Sequence, residues 1–257
     1  MESVSLVNVS SWALLAEQDL LWKVIIISLI AIFAHTTMDS CFLDLMFPNW
    51  KRIPIQGSHL EKLETIDIAF VNLNKLLTAP FALQFLQYVF TNPRMRTAAE
   101  DATVMNVWLP FVLLILIDDL GYYLFHASLH HKWVYKYIHK HHHRSHAPSR
   151  GNWDGLNAHP LEYVCSAYMH LWSLMLLNSV FGVEVHCYGA LGFVAIGAFL
   201  GALNHSRIDV RILGVYAAVE HDAHHRIPDT NFGQYTKVWD VLFGTYVPFI
   251  FEDEKKE

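Results

Sequence analysis

Cysteine is scarce in this chain. Cys41, Cys165 and Cys187 form no C-x-x-C pair and leave one odd thiol, which excludes a disulfide framework and argues against a thiolate metal site. Charged residues make up only 16% of the sequence, against about 25% in an ordinary soluble domain. With a formal net charge of −6, the chain has no basic footprint for nucleic acid. It also lacks a G-x-G-x-x-G fingerprint, a C-x-x-C-H haem site and an iron–sulfur cysteine set, so it carries no recognisable electron-transfer module of its own. No internal repeat, low-complexity stretch or Pro/Gly linker divides the 257 residues, and 1–257 reads as one domain.

What is abundant is apolar surface, at 53% of residues. A bilayer core needs about 20 mostly apolar residues per helix, and five stretches qualify, at about 20–42, 66–90, 107–125, 163–183 and 185–203. The second is interrupted by Asn72, Asn74 and Lys75; the last two read as a hairpin turning near Phe181-Gly182. The fold expected is all-α, a polytopic membrane bundle. Lys and Arg in the connecting segments set orientation. Five spans place 14 of the 18 basic residues on the cytosolic side, with the N-terminus outside and Arg94 and Arg96 as exceptions. The sequon at Asn8 is then available for glycosylation, whereas the one at Asn204 is cytosolic.

Histidine is the other excess, with 17 residues, of which 15 fall between His126 and His225. Two spans separate the His-rich regions 126–160 and 204–250, and so return the chain to the same face. Three groups are spaced helically: His126-x3-His130, His139-x2-His142-His143 and His221-x2-His224-His225. At about 100° per residue, positions i, i+3 and i+4 share one helix face. The set therefore predicts a cytosolic helical cap holding a His-rich di-metal site, much as bundle di-metal sites take inward side chains from several helices. His141 falls on the opposite side of its group and is expected to face solvent or lipid headgroups. His35, His59, His170 and His186 stand apart from the groups and read as structural.

The stretches DDLGYYLFHASLHH, YIHKHHH, NAHPLE, LNHSRID and EHDAHH followed by NFGQYTKVWDVLFGTY together resemble the membrane fatty-acid hydroxylase, sterol desaturase and sterol C4-methyl oxidase superfamily. The likeness covers about residues 66–249. It implies two iron ions held by His126, His130, His139, His142, His143, His221, His224 and His225, with His205 a ninth ligand and His159 of the HPLE element a tenth. Asp119 matches the carboxylate that precedes the first His motif in that superfamily. It would orient a ligand imidazole, or else serve as a helix-end residue meeting water.

Neutral imidazole also suits zinc, copper and nickel, so iron comes from the resemblance, and zinc would be a plausible occupant of a recombinant sample. The implied reaction is O2-dependent hydroxylation or desaturation of a membrane lipid, with a sterol or sterol precursor favoured and a fatty acid or sphingoid base as the alternative. Its electrons must come from a partner, cytochrome b5 with its reductase being the superfamily's usual donor in the endoplasmic reticulum. Lys132, Lys136 and Lys140 could face such a partner or simply the membrane surface. A membrane metal transporter is the reading from another class; it would want ionisable residues within several spans, and spans four and five have almost none.

Overall fold

The computed structural model describes residues 20–249; the sequon at Asn8 lies outside them. Nine α-helices are found among these residues: α1 Leu20–Thr37, α2 Ser40–Met46, α3 Thr65–Thr91, α4 Val104–Leu129, α5 Asn152–Leu156, α6 Pro160–Met175, α7 Cys187–Asn204, α8 Ala218–Arg226 and α9 Val238–Phe243. The only strands in the described residues are two pairs of two residues each: β1 Met95–Arg96 beside β2 Val185–His186, and the hairpin β3 Arg211–Ile212 with β4 Tyr216–Ala217.

Local chemistry sets the helix starts. Glu64 and Asp67 form a reciprocal capping box at α3, and Thr103 and Asn106 do so at α4, each satisfying backbone N–H groups that the first turn leaves unpaired. α6 begins at Pro160, whose missing N–H costs nothing there, with His159 as its cap.

Three helices, α3, α4 and α7, are long and apolar enough to cross a membrane. α1 and α6 lie in the other two expected spans. α1 ends at Thr37 rather than near residue 42, where the side chains of Thr36 and Thr37 turn back onto the carbonyls of Ile32 and Ala34. α6 widens into a π-turn over Leu176–Val180 before the glycine turn at Gly182, which has φ +70°.

α1 packs on α3, α3 on α6, α6 on α4, and α4 on α7. Their shared core includes Phe85, Val89, Leu114, Leu174, Ala190 and Phe193. Within lipid such helices are held by close packing rather than by expulsion of water, which favours small residues at contacts. Gly189 is the clearest case, because a Cβ there would stand 2.6 Å from the Val107 carbonyl oxygen on α4.

The polar interruptions of the second span have structural partners. Asn74 is fully buried and donates to the carbonyls of Leu156 and Ala158, both at 2.9 Å. Lys75 stacks its ammonium 4.3 Å over Trp153. At the end of the bundle remote from the three histidine groups, Arg96 pairs with Glu184 at 2.8 Å and Arg94 donates to the Ser179 carbonyl. The two arginines that fit the charge rule least are thus tied into the β1–β2 loops. At the histidine end, the left-handed Arg207 (φ 64°) donates to the carbonyls of Ile53 and Pro54 and pairs with Asp222, joining the 51–54 segment to α8. Asn204 is buried, donating to the Gln234 carbonyl and accepting from Tyr216, so the folded chain offers no acceptor there for a glycan.

Candidate metal centre

The last turn of α4 carries His126, and His130 is its C-cap. A run of turns followed by a short 3-10 helix carries His139, His142 and His143. His205 caps the C-terminus of α7, and α8 carries His221, His224 and His225. These nine side chains form two adjoining groups. His126, His130, His139, His143 and His224 make one; His142, His205, His221 and His225 make the other, and within each group the facing nitrogens lie within 4.8 Å of one another. Each H-x-x-H-H motif therefore feeds both groups, its i and i+4 rings going to one and its i+3 ring to the other. On α8 this follows from geometry, since His224 and His225 lie about 100° apart around the axis, on either side of His221.

The protons of these rings can be assigned from their outer nitrogens. Nδ1 of His126 faces the Phe232 carbonyl at 2.9 Å, that of His139 faces Glu162 Oε1 at 2.8 Å, and that of His224 faces the Thr230 carbonyl at 2.6 Å. In the second group Nδ1 of His205 faces the Gly201 carbonyl at 2.9 Å and that of His225 the Ser145 carbonyl at 3.0 Å. These oxygens accept, so each Nδ1 donates and each neutral ring keeps a bare lone pair on Nε2. Two of those Nε2 atoms, on His126 and His139, face each other at 3.0 Å, and the Nε2 atoms of His143 and His221 stand 3.0 Å from His139 and 3.2 Å from His225. Facing lone pairs cannot hydrogen-bond and repel at that distance. A cation between them converts the repulsion into coordination, and outer-nitrogen bonds of this kind are what fix the ring orientation of metal-bound histidine.

Burial keeps the rings neutral. It holds His139, His142, His221, His224 and His225 well below the ordinary imidazole value, and neighbouring imidazoles push them further down. The nine-histidine, thiolate-free set thus fits two imidazole-bound transition-metal ions.

Three expectations are corrected. His159 joins neither group; it caps α6 by accepting from the Leu161 N–H at 3.2 Å and packs on Phe70. Asp119 touches no imidazole, because its carboxylate accepts from the backbone N–H groups of Gln234, Tyr235 and Thr236 and from the Thr236 hydroxyl. It thereby holds the 234–236 loop, close in sequence to the carbonyl of Phe232 that meets His126. His141 turns neither to solvent nor to headgroups but lies 2.8 Å from Asn157 Oδ1 and 3.0 Å from the buried Asp67. The physical reason is that residues 131–141 are turns, not α-helix, so extrapolating 100° per residue misplaces the one ring that is not at a group position.

The carboxylate that does orient a ring is Glu162, at the start of α6. Its signal in the sequence was an acid in the first turn of an apolar span, where an ionisable residue is by default functional. Glu162, His142 and His205 also line a cavity of about 230 Å³ between α3, α6 and α7. Phe81, Val194 and Ala198 give it apolar walls, while Thr78, Tyr163 and two histidines read as structural, His35 and His170, add polar groups. Isolated histidines carry no spacing signal, so only the packing of helices distant in sequence reveals these two.

Residues 111–245 match the family described as fatty acid hydroxylase. The chain is 27% identical over 238 residues to cholesterol 25-hydroxylase-like protein 2 of Danio rerio, covering 84% of this chain and 77% of that one. It is 30% identical over 159 residues to cholesterol 25-hydroxylase-like protein 1, member 2 of Danio rerio, covering 55% and 52%. To the Delta(7)-sterol-C5(6)-desaturase of Nicotiana tabacum it is 32% identical over 155 residues, covering 58% and 55%. These alignments thus span about half the length of the last two relatives. No solved structure matches significantly.

Proposed function

This chain belongs to the fatty acid hydroxylase family, and on that premise we propose that it is an O2-dependent oxidoreductase that hydroxylates or desaturates a membrane lipid, with a sterol or sterol precursor as the favoured substrate. The observation that carries the reading is the convergence of bare Nε2 lone pairs in two buried groups beside a mostly apolar cavity.

Two iron ions would be held by His126, His130, His139, His143 and His224 on one side and by His142, His205, His221 and His225 on the other. Iron, when bound, supplies the redox change and O2 activation that cleavage of an unactivated C–H bond requires and that zinc cannot supply. The protein's own residues fix the rings through Glu162 and backbone carbonyls, keep them unprotonated by burial, and offer a mostly apolar cavity of about 230 Å³ beside them. Two electrons and two protons must arrive from outside for each O2 consumed, giving a hydroxylated lipid and one water, or a desaturated lipid and two. A cytochrome b5 and its reductase at a cytosolic face of the endoplasmic reticulum would meet that need, in a chain crossing the membrane five times. The nine grouped histidines gather at one end of the bundle instead of lining a path along it, which favours chemistry over metal transport.

Lipid extracts of cells expressing the wild type should contain species shifted by one added oxygen or two removed hydrogens that are absent with His142→Ala. Identical lipid profiles from the two, with both proteins inserted in the membrane, would refute the oxidase reading.

A further inference from the structure

At its end nearest the histidine groups, the cavity carries a hydrogen-bonded chain whose direction can be read. Asn152 Nδ2 lies 3.1 Å from the His35 carbonyl, which can only accept, so this nitrogen is a donor. It also lies 2.9 Å from His35 Nδ1, which therefore accepts and leaves the ring proton on Nε2. Nε2 donates to Thr78 Oγ1 at 2.8 Å, and the Thr78 hydroxyl donates to the Asn74 carbonyl at 3.1 Å. The Tyr163 hydroxyl, also against Thr78 Oγ1, must then be a donor to it. Every proton in the chain is committed, and Tyr163 Oη presents lone pairs alone to the cavity that Tyr163 lines. Two more buried oxygens on residues of the same cavity, Glu162 Oε2 and Gln234 Oε1, have no protein partner.

We propose that this end of the cavity recognises the hydroxyl of a lipid alcohol, which donates its proton to Tyr163 Oη. The inference rests on the oxidase reading and adds to it where the substrate's polar end lies. Tyr163 follows Glu162, which touches His139, so the residue that would take the hydroxyl is next in sequence to the one that anchors a grouped histidine. The rest of the lipid extends along the apolar wall that Phe81 and Val194 give the cavity. A carbonyl or carboxylate has no proton to give to Tyr163. Tyr122 and Tyr235 also line the cavity; the Tyr122 ring packs 5.1 Å from that of His126, and Tyr235 does not compete. Tyr235 Oη bonds His170 Nε2 at 2.9 Å, is only 4% exposed, and lies 2.8 Å from where a Cβ on Gly197 would stand, so α7 covers it and leaves no room for a ligand oxygen.

Binding to the purified full-length, metal-loaded protein tests this, using cholesterol and 1-hexadecanol as probes, each against its own methyl ether. The wild type should bind at least one alcohol about tenfold more tightly than its ether, the effect of one buried hydrogen bond. Tyr163→Phe should bring the pair within about twofold by weakening the alcohol alone. Thr78→Val frees the Tyr163 proton for an ether oxygen and should narrow the gap by strengthening the ether, which a merely structural role would not do. Whichever alcohol shows the preference identifies a ring or a chain as the carrier of the hydroxyl. No preference for either alcohol, or a preference unchanged in both variants, overturns the proposal. If the variants lose the preference but no protein forms an oxidised product, the oxidase reading fails and the recognition site stands. If the wild type forms product while the variants bind like it, the reverse holds.

Discussion

Nδ1 of His139 stands 2.8 Å from Glu162 Oε1, while Nε2 of the same ring stands 3.0 Å from the Nε2 atoms of both His126 and His143. One side of the imidazole is thus anchored by a carboxylate, and the other is turned into the five-histidine group. Glu162→Ala should lower metal affinity by about 10–100-fold, the usual effect of losing such an anchor. Glu162→Gln keeps an accepting oxygen and should lose less. Metal content after chelator competition checks both, and wild-type retention in Glu162→Ala would show that the anchor is dispensable.

The division of the histidines gives a sharper expectation for three adjacent positions. His143→Ala should deplete the ion of the five-histidine group first, and His142→Ala that of the four-histidine group, each leaving about one ion per chain. His141→Ala should leave metal content intact but lower thermal stability by about 1–3 kcal/mol, because Asn157 and the buried Asp67 lose a partner. Elemental analysis and thermal unfolding separate these outcomes. Metal loss in His141→Ala equal to that in His142→Ala would contradict the geometry.

Asp119 is expected to act through the loop it holds. Removing its carboxylate strands the N–H groups of Gln234, Tyr235 and Thr236, at about 1–3 kcal/mol for each that finds no new partner. Asp119→Ala should therefore speed hydrogen exchange over residues 232–237, with Asp119→Asn intermediate. Unchanged exchange in Asp119→Ala would mean that other contacts hold the loop.

Two glycines of α7 make a matched pair. Gly189→Ala drives a methyl group to within 2.6 Å of a backbone oxygen on α4, whereas Gly192→Ala meets only the Phe111 ring edge at 3.9 Å. The first should destabilise by about 1–3 kcal/mol, the typical cost of overpacking, and the second should be tolerated. Melting temperatures in detergent decide between them, and equal values would show that α4 and α7 can part without cost.

Much of this protein could be read from its residues in order. Long apolar runs dictate membrane helices because lipid cannot satisfy a bare backbone, and the spacing of the H-x-x-H-H motifs on either side of two spans dictated that the histidines could meet. Which ring joins which group was decided by tertiary structure. The segment before His142 is turns, so its rings are aimed by Glu162 and by neighbouring backbone and not by a helical period. The same holds for His35 and His170, single residues on different helices that only packing brings to one cavity, and for Asp119, whose partners lie more than a hundred residues away. Local patterns encode which faces are apolar and which imidazoles recur. The direction of an individual proton, carboxylate or ring depends on contacts between segments distant in sequence, and those exist only once the helices have packed.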